Sequence, residues 1–364
     1  MTTAIPQHVR DLFAPAPGTI YLDTATYGLP PRPTVEALER AVRRWQSGEA
    51  NWVEEWDREG EACRSLFAAL IGARADDIAL IPAGSVGVGT VAASLPEGSR
   101  VLVPSAEFRS VVLPMLAAQR ARGIEVREVP YEAIPDEIGP GTHLVALSLT
   151  RAQSGETADL AAIVAAAREH GARVLLDATH ALPFVSVNDH IGEIDFLVCH
   201  GYKHLLCPRG VAFMYVNPRN LDTVVPYLAN WRTSPNPYES AYGGPLPILP
   251  NASRFDVSLA WHAWAGARPS LELLVQWKRE GILDAVLSLS ARLADGLGLE
   301  RPKASLVCLR VPDAEAAESA LVRNRIKCAA RGGNIRLSPH VYTTEEEIDR
   351  AIEVISSTLA TVSA

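Results

Sequence analysis

Five short apolar runs, at residues 78–81, 101–103, 144–149, 174–176 and 196–198, alternate with stretches of helical periodicity such as 159–170. Runs this short and this uniformly apolar fit strands buried on both faces, and the helical stretches between them fit crossovers. The pattern predicts an α/β fold with a mostly parallel sheet wrapped by helices. Ahead of the sheet, 33–46 carries Val35, Leu38, Ala41 and Val42 on one helical face, and 52–69 reads as a second helix. A Pro- and Gly-rich stretch at 233–250 interrupts the alternation, and a long helical region at 270–297 follows it. The tail reads as a strand at 305–311, a helix at 314–324 and two strands at 326–330 and 334–338. A closing helix follows, capped by Thr344 with Glu347. The expected division is an N-terminal segment over 1–20, a large domain over 21–250 and a small α+β C-terminal domain over 251–364.

Composition removes several function classes. With 364 residues, 48% of them hydrophobic, the chain can bury a large core and is not disordered. A net charge of -8 and a pI near 5.7 provide no basic footprint, so no nucleic-acid partner is expected. No uncharged apolar run approaches the ~20 residues a membrane span needs. The first ten residues lack a signal peptide's apolar segment, so a cytoplasmic protein without membrane attachment is expected. Cys63, Cys199, Cys207, Cys308 and Cys328 are odd in number and lack paired metal-ligand spacing, which reads as reduced thiols and no metal.

The chemistry concentrates where two apolar runs end. The 174–176 run stops on Asp177, followed by Ala178-Thr179-His180; the 196–198 run leads through Cys199 into His200-Gly201-Tyr202-Lys203-His204-Leu205-Leu206-Cys207-Pro208-Arg209-Gly210. Ligands of open α/β sheets gather at such strand tips. An amine and a carboxylate on neighbouring tips suit pyridoxal phosphate (PLP), with the lysine bonding the cofactor aldehyde and the acid keeping the ring nitrogen protonated.

Asp-Ala-Thr-His, followed about two dozen residues later by Gly-Tyr-Lys-His-Leu-Leu-Cys-Pro-Arg-Gly, resembles the class V aminotransferase superfamily of fold type I PLP enzymes. The likeness extends from Tyr21 to the C-terminal helix and is greatest toward isopenicillin N epimerase-like proteins and carbon–sulfur lyases. It implies a seven-stranded sheet between helices, a small C-terminal domain, PLP as cofactor and a homodimer with the active site at the interface.

Residue by residue, the resemblance makes Lys203 and Asp177 catalytic. It places the cofactor phosphate at the turn Ala83-Gly84-Ser85-Val86, where a helix N-terminus favours an anion, with the Ser85 side chain and Val86 backbone as donors. His200 stands where relatives carry a phosphate-contacting hydroxyl. Phe108 falls where the family stacks a ring on the pyridine, and Arg151 falls near the phenolic oxygen; read alone, they fit a core ring and a surface ion pair as readily. Thr179 and His180 are within reach of the ring. Arg336 matches the arginine that grips the substrate α-carboxylate, a planar fork suited to two parallel hydrogen bonds. Tyr27, Asn230 and Trp231 line the substrate side, though a tryptophan also serves packing. Ser258, in Arg254-Phe255-Asp256-Val257-Ser258, matches the segment that reaches the partner subunit's phosphate.

The implied reaction transforms an α-amino acid at Cα or Cβ. Carbon–sulfur β-elimination of a cysteine conjugate and transamination in specialised metabolism lead. Epimerisation and decarboxylative or oxidative chemistry follow, and a PLP-binding scaffold without catalysis is the reading of another class. Desulfuration through a protein persulfide is disfavoured, because Cys328 stands closer to Arg336 than the nucleophile of that branch does.

Overall fold

Seven strands build the central sheet: β1 (Ile78–Ile81), β2 (Arg100–Pro104), β3 (Glu125–Val129), β4 (Thr142–Ser148), β5 (Arg173–Asp177), β6 (Phe196–His200) and β7 (Ala212–Val216). The computed structural model describes residues 4–239, 242–245 and 249–362. Residues 240, 241 and 246–248 of the Pro- and Gly-rich stretch lie outside the described residues, as do 1–3 and 363–364 of the terminal segments. Strand order is β1-β7-β6-β5-β4-β2-β3; β7 runs antiparallel to both neighbours and every other pair is parallel.

Strand pleating sends alternate side chains to opposite faces. Val145, Leu147, Val174, Leu176 and Leu197 join one core with Phe67 and Trp264. Leu144, Ala146, Leu175, Phe196 and Val198 join the other with Val88, Val111 and Met115. The first face is covered by α2 (Arg58–Ile71), α5 (Leu160–His170) and α6 (Trp261–Arg279), the second by α3 (Gly84–Ser94) and α4 (Arg109–Arg122). Phe67 stacks on Phe213 at 4.2 Å, which anchors α2 to β7.

Three local expectations change. The leading helix, α1 (Arg32–Ser47), buries Thr34, Ala37 and Ala41, while Val35 and Val42 are exposed. It packs against α6, where a Cβ on Gly266 would stand 2.8 Å from Leu38, so close approach selects the small-residue face over the bulkier one. The second helix opens as a π-helical turn, Val53–Asp57, before α2 begins. The long region at 270–297 is two helices, α6 and α7 (Ile282–Gly296), broken at Gly281 with φ of 72°.

In the small C-terminal sheet β8 (Val307–Arg310), β9 (Ala329–Arg331) and β10 (Asn334–Leu337) are antiparallel in the order β9-β10-β8, flanked by α8 (Ala314–Arg323) and α9 (Glu345–Val362). The expected strand at 326–330 splits in two. Ile326–Lys327 leaves this sheet and pairs in parallel with Ile20–Tyr21, which brings the N-terminal loop over β10. The α9 cap is the reciprocal box read from sequence. Thr344 N–H donates to Glu347 Oε2 at 2.9 Å and Glu347 N–H to Thr344 Oγ1 at 3.1 Å. No helix among the described residues is long and apolar enough to cross a membrane.

Candidate active site

The parallel strands β4, β5 and β6 end side by side, with Ser148 in register with Asp177 and Asp177 with Val198. That register puts the carboxylate of Asp177 one strand away from the loop that carries Lys203. Asp177 Oδ1 accepts the Thr179 N–H at 2.9 Å, and Thr179 Oγ1 in turn accepts the His200 N–H at 3.1 Å. Two strand tips are thereby tied together through one threonine.

Lys203 is only 7% exposed, and its Nζ lies 2.9 Å from Nε2 of His180. Burial pushes the amine down to about 8, against the pull of the Asp177 charge; Arg336 lowers it further. The lysine turn is tight: Leu206 N–H donates to the Lys203 carbonyl at 3.0 Å, and Leu206 adopts φ of 56°. A bulky residue there costs of the order of 1–3 kcal/mol. Gly28 explains how the N-terminal loop reaches this turn. Its N–H donates to the Tyr202 carbonyl at 2.9 Å, and a Cβ would stand 2.3 Å from the Lys203 carbonyl oxygen.

Phe108 is 44% exposed at the N-terminus of α4, with its ring centroid 5.5 Å from the lysine nitrogen. The sequence reading missed what holds it. Buried Glu107 accepts from Phe108 N–H (2.6 Å), Ser148 N–H (2.9 Å) and Ser148 Oγ (2.6 Å), clamping the Phe108 loop to the tip of β4. Burial raises the Glu107 pKa, with these bonds opposing. The only sequence signal was a carboxylate at a strand end. Tyr202 was also missed; its ring lies 5.3 Å from His200 and under Arg209 at 5.2 Å.

At the anion turn, Gly84 N–H donates to Nε2 of His200 at 3.1 Å, and Val86 N–H closes onto the Ala83 carbonyl at 3.0 Å. The Ser85 hydroxyl makes no hydrogen bond among the described residues. Gly87 lets α3 lie against β6, since a Cβ there would meet Val198 at 2.8 Å. Arg151 is held against the loop that precedes Phe108. Its guanidinium donates to Ser105 O (2.9 Å), pairs with Glu156 (3.5 Å) and sits 5.0 Å over Tyr131.

Arg336 is buried on β10, donating to the Ala152 carbonyl (3.1 Å) and Thr26 Oγ1 (2.7 Å), with Asp23 Oδ1 at 3.9 Å. Its Nε–H has no hydrogen-bond partner among the described residues. Burial lowers the Arg336 pKa and raises that of Asp23, the mark of two charges held out of water. Tyr27 is exposed beside it, and its carbonyl accepts the Tyr21 hydroxyl at 2.7 Å.

Among the described residues, Asn230, Trp231 and Ser258 form no hydrogen bond or ring contact with Lys203. Asn230 and Ser258 line a surface cleft with Pro82 and Gly210, which follow β1 and precede β7 at the same end of the sheet as Lys203. Asn230 is committed to structure: it caps a 3-10 turn by accepting from Arg232 N–H (3.1 Å) and donates to the Asp256 carbonyl (2.9 Å). Trp231 Nε1 donates to Ser258 Oγ at 3.4 Å. Beneath them Arg232 pairs with buried Asp57, and Arg64 with Asp256 at 2.6 Å, pinning both loops to α2 and β1.

These residues fit the cofactor that the sequence pattern implies. A buried amine with a lowered pKa, a carboxylate on the next strand tip, an exposed ring beside the amine and a helix N-terminus with a free hydroxyl stand at the same end of the sheet.

The aminotransferase class-V family model matches residues 20–297. The uncharacterized aminotransferase YcbU of Bacillus subtilis is 26% identical, with 97% of this chain and 98% of that protein covered. Isopenicillin N epimerase of Streptomyces clavuligerus is 25% identical, with 81% and 83% covered. Among solved structures, the cystine C-S lyase C-DES in complex with its reaction product cysteine persulfide superimposes with a TM-score of 0.83 at 23% identity, covering 93% of this chain and 97% of that one. The chain belongs to the class-V aminotransferases and is a pyridoxal phosphate-dependent enzyme.

Proposed function

We propose that this enzyme cleaves the carbon–sulfur bond of a cysteine conjugate by β-elimination. The observation that carries the reading is the state of the thiols. Cys63, Cys199, Cys207 and Cys328 are buried, Cys308 is half-buried, and burial raises the pKa of all five. Sulfur leaving Cβ therefore departs with the product instead of passing to a protein thiolate.

Bound pyridoxal phosphate supplies an electron sink for negative charge developing at Cα. Lys203 is the residue that would hold the cofactor, and its Nζ, buried among these strand ends, is the group placed to take the Cα proton. An amine near 8 keeps a useful neutral fraction at physiological pH. Asp177, oriented by the Thr179 N–H, would hold the proton on the ring nitrogen, and Phe108 would stack on the ring. The turn at Gly84 to Val86 receives the phosphate through the Ser85 hydroxyl, with His200 fixing its first N–H. Arg336 receives the substrate carboxylate, with Tyr27 beside it. The working unit is a homodimer in which Ser258 of a second copy reaches the cofactor phosphate, with Asn230 and Trp231 bordering the side-chain end of the substrate.

In the overall reaction the Cα–H and Cβ–S bonds break, the thiol leaves with a proton, and water hydrolyses the resulting enamine to pyruvate and ammonia. The test is to incubate the PLP-loaded protein with cysteine conjugates and follow thiol, pyruvate and ammonia. Equal amounts of all three, without any 2-oxo acid added, are expected. Lys203→Ala should lose both turnover and the visible absorption of lysine-bound cofactor. Transamination is the second reading, favoured by the likeness to the Bacillus subtilis aminotransferase along nearly the whole chain. Amino-group transfer that appears only when a 2-oxo acid is supplied selects it.

A further inference from the structure

A phenyl ring carries no polar atom, so no conventional hydrogen bond can set the direction in which Phe108 points. The side chain is also half out of contact with the protein, and packing fixes it only loosely. Its place 5.5 Å from the lysine nitrogen therefore rests chiefly on the backbone that carries it.

That backbone is held from two sides. On the first, Ser105 N–H donates to the Val129 carbonyl at 2.7 Å, and Arg151 Nη2 donates to the carbonyls of Ser105 (2.9 Å) and Ala106 (3.4 Å). Ala106 itself adopts φ of 55°, a left-handed conformation that alanine keeps only under constraint. On the second side, buried Glu107 divides its oxygens between two segments far apart in sequence. Oε1 accepts Phe108 N–H and the Ser148 hydroxyl, both at 2.6 Å, and Oε2 accepts Ser148 N–H at 2.9 Å. The Phe108 carbonyl in turn accepts Val111 N–H at 2.8 Å in the first turn of α4, so both backbone polar groups of Phe108 are bound. Ser148 is in register with Asp177 on the neighbouring strand. One carboxylate thus ties the ring-bearing residue to the strand tip beside the acid.

We propose that Glu107 is a positioning residue, which sets the tilt and height of the Phe108 ring over the cofactor by clamping Phe108 N–H to Ser148. The proposal rests on the reading of Lys203 as the cofactor-bearing lysine and of Phe108 as the ring stacked on the cofactor. Arg151 pins only Ser105 and Ala106, so loss of the carboxylate leaves the loop attached and frees the residues after Ala106. A ring free to swing gives up its stacking geometry.

The test is a double-mutant cycle on the full chain. Titrated into cofactor-free protein, PLP should bind Phe108→Ala and Glu107→Ala each about tenfold more weakly than wild type. The double variant should lose no more than either single one, because the carboxylate acts through the ring; independent effects would multiply to about a hundredfold. In loaded protein the circular dichroism of the visible band, which reads the tilt of the cofactor, should change in the same way in all three. Glu107→Gln keeps the side-chain length and one acceptor oxygen, and serves if the alanine variant does not fold. It must obey the same non-additivity with Phe108→Ala. A hundredfold loss in the double variant, or a folded Glu107 variant that binds PLP like wild type, overturns the proposal. Should Phe108→Ala itself bind PLP like wild type, the stacking assignment falls and the role of Glu107 in holding the ring over the cofactor falls with it. Amide exchange in cofactor-free protein then still separates the clamp from that reading: Phe108 and Ser148 N–H should exchange about tenfold faster in Glu107→Ala if the carboxylate holds them. Unchanged exchange at both would overturn the clamp whatever the cofactor does.

Discussion

The backbone N–H of Gly84 donates to Nε2 of His200 at 3.1 Å, joining the first residue of α3 to the last residue of the strand before the lysine loop. Burial holds the His200 pKa below its ordinary value, with Asp177 opposing, so the neutral ring that this bond needs is the form present at pH 7. His200→Phe removes the acceptor and leaves Gly84 free to swing. Cofactor affinity, titrated into the cofactor-free protein, should fall roughly tenfold, the worth of about one hydrogen bond. An unchanged Kd would reduce the contact to packing.

Arg336 gives a two-sided expectation. Arg336→Ala should weaken amino-acid binding by roughly 2 to 4 kcal/mol, measured by spectral titration, because charge-assisted bonds to a carboxylate are lost. The corresponding amine lacking a carboxylate should bind the variant and wild type alike. The same change strands buried Asp23 without its cation, so the variant should also unfold at lower urea. Equal loss for the amine and the amino acid would make Arg336 a structural residue.

All five thiols should resist alkylation in the folded protein at pH 7.5 and react fully once it is denatured. Burial pushes Cys308 and Cys328 up to about 12 and the others upward as well, so the thiolate fraction is minute. Cys308 is the stringent case, since it stands opposite Arg336 in the β8–β10 register and is not fully covered. A persulfide on any cysteine during turnover would move the chain to desulfuration.

The legible parts of the fold were those governed by one local rule. Five strands of the main sheet, the edge strand β1 among them, and the Thr344–Glu347 cap follow from apolar runs and capping chemistry, and they appear in place. β3 escaped because it is an edge strand, with Glu125, Arg127 and Glu128 outward and little apolar signal. β7 escaped because its run, Ala212 to Val216, follows the lysine loop closely and reads as its continuation. The α1 face was misread because close packing on α6 favours Thr34, Ala37 and Ala41 over Val35 and Val42. At the site, Lys203 and Asp177 were read from their places after apolar runs, whereas Phe108 and Arg336 came from the family resemblance, and the structure brings the Phe108 ring 5.5 Å from the Lys203 nitrogen. Glu107 was not legible, since it works by joining the Phe108 loop to the tip of a strand far away in sequence, which no spacing announces.

Acid stability provides a last expectation. His180 and His204 are held well below, and His340 at about 4 against an ordinary 6.5, because burial penalises their charged forms. Through these rings the unfolded chain binds more protons than the folded one below pH 6.5, so their contribution to stability rises with pH, while the raised pKa values of buried Asp23, Glu107 and Asp256 act in the opposite direction. The contribution is fully present above about 6.5 and is lost as pH falls toward 4. For His340 alone it amounts to roughly 3 kcal/mol. Carboxylates in exposed pairs, such as Glu55 with Arg44 and Asp349 with Arg292, have lowered pKa values and lose their pairing only in stronger acid, outside this window. Urea midpoints should therefore be nearly flat from pH 8 to 7 and should fall steadily from 6.5 to 4.5. His340→Phe removes one of the protons taken up on unfolding, so the variant should show a shallower fall even if it starts from a lower midpoint. An identical slope in folded variant and wild type would mean that the buried imidazoles do not govern acid unfolding.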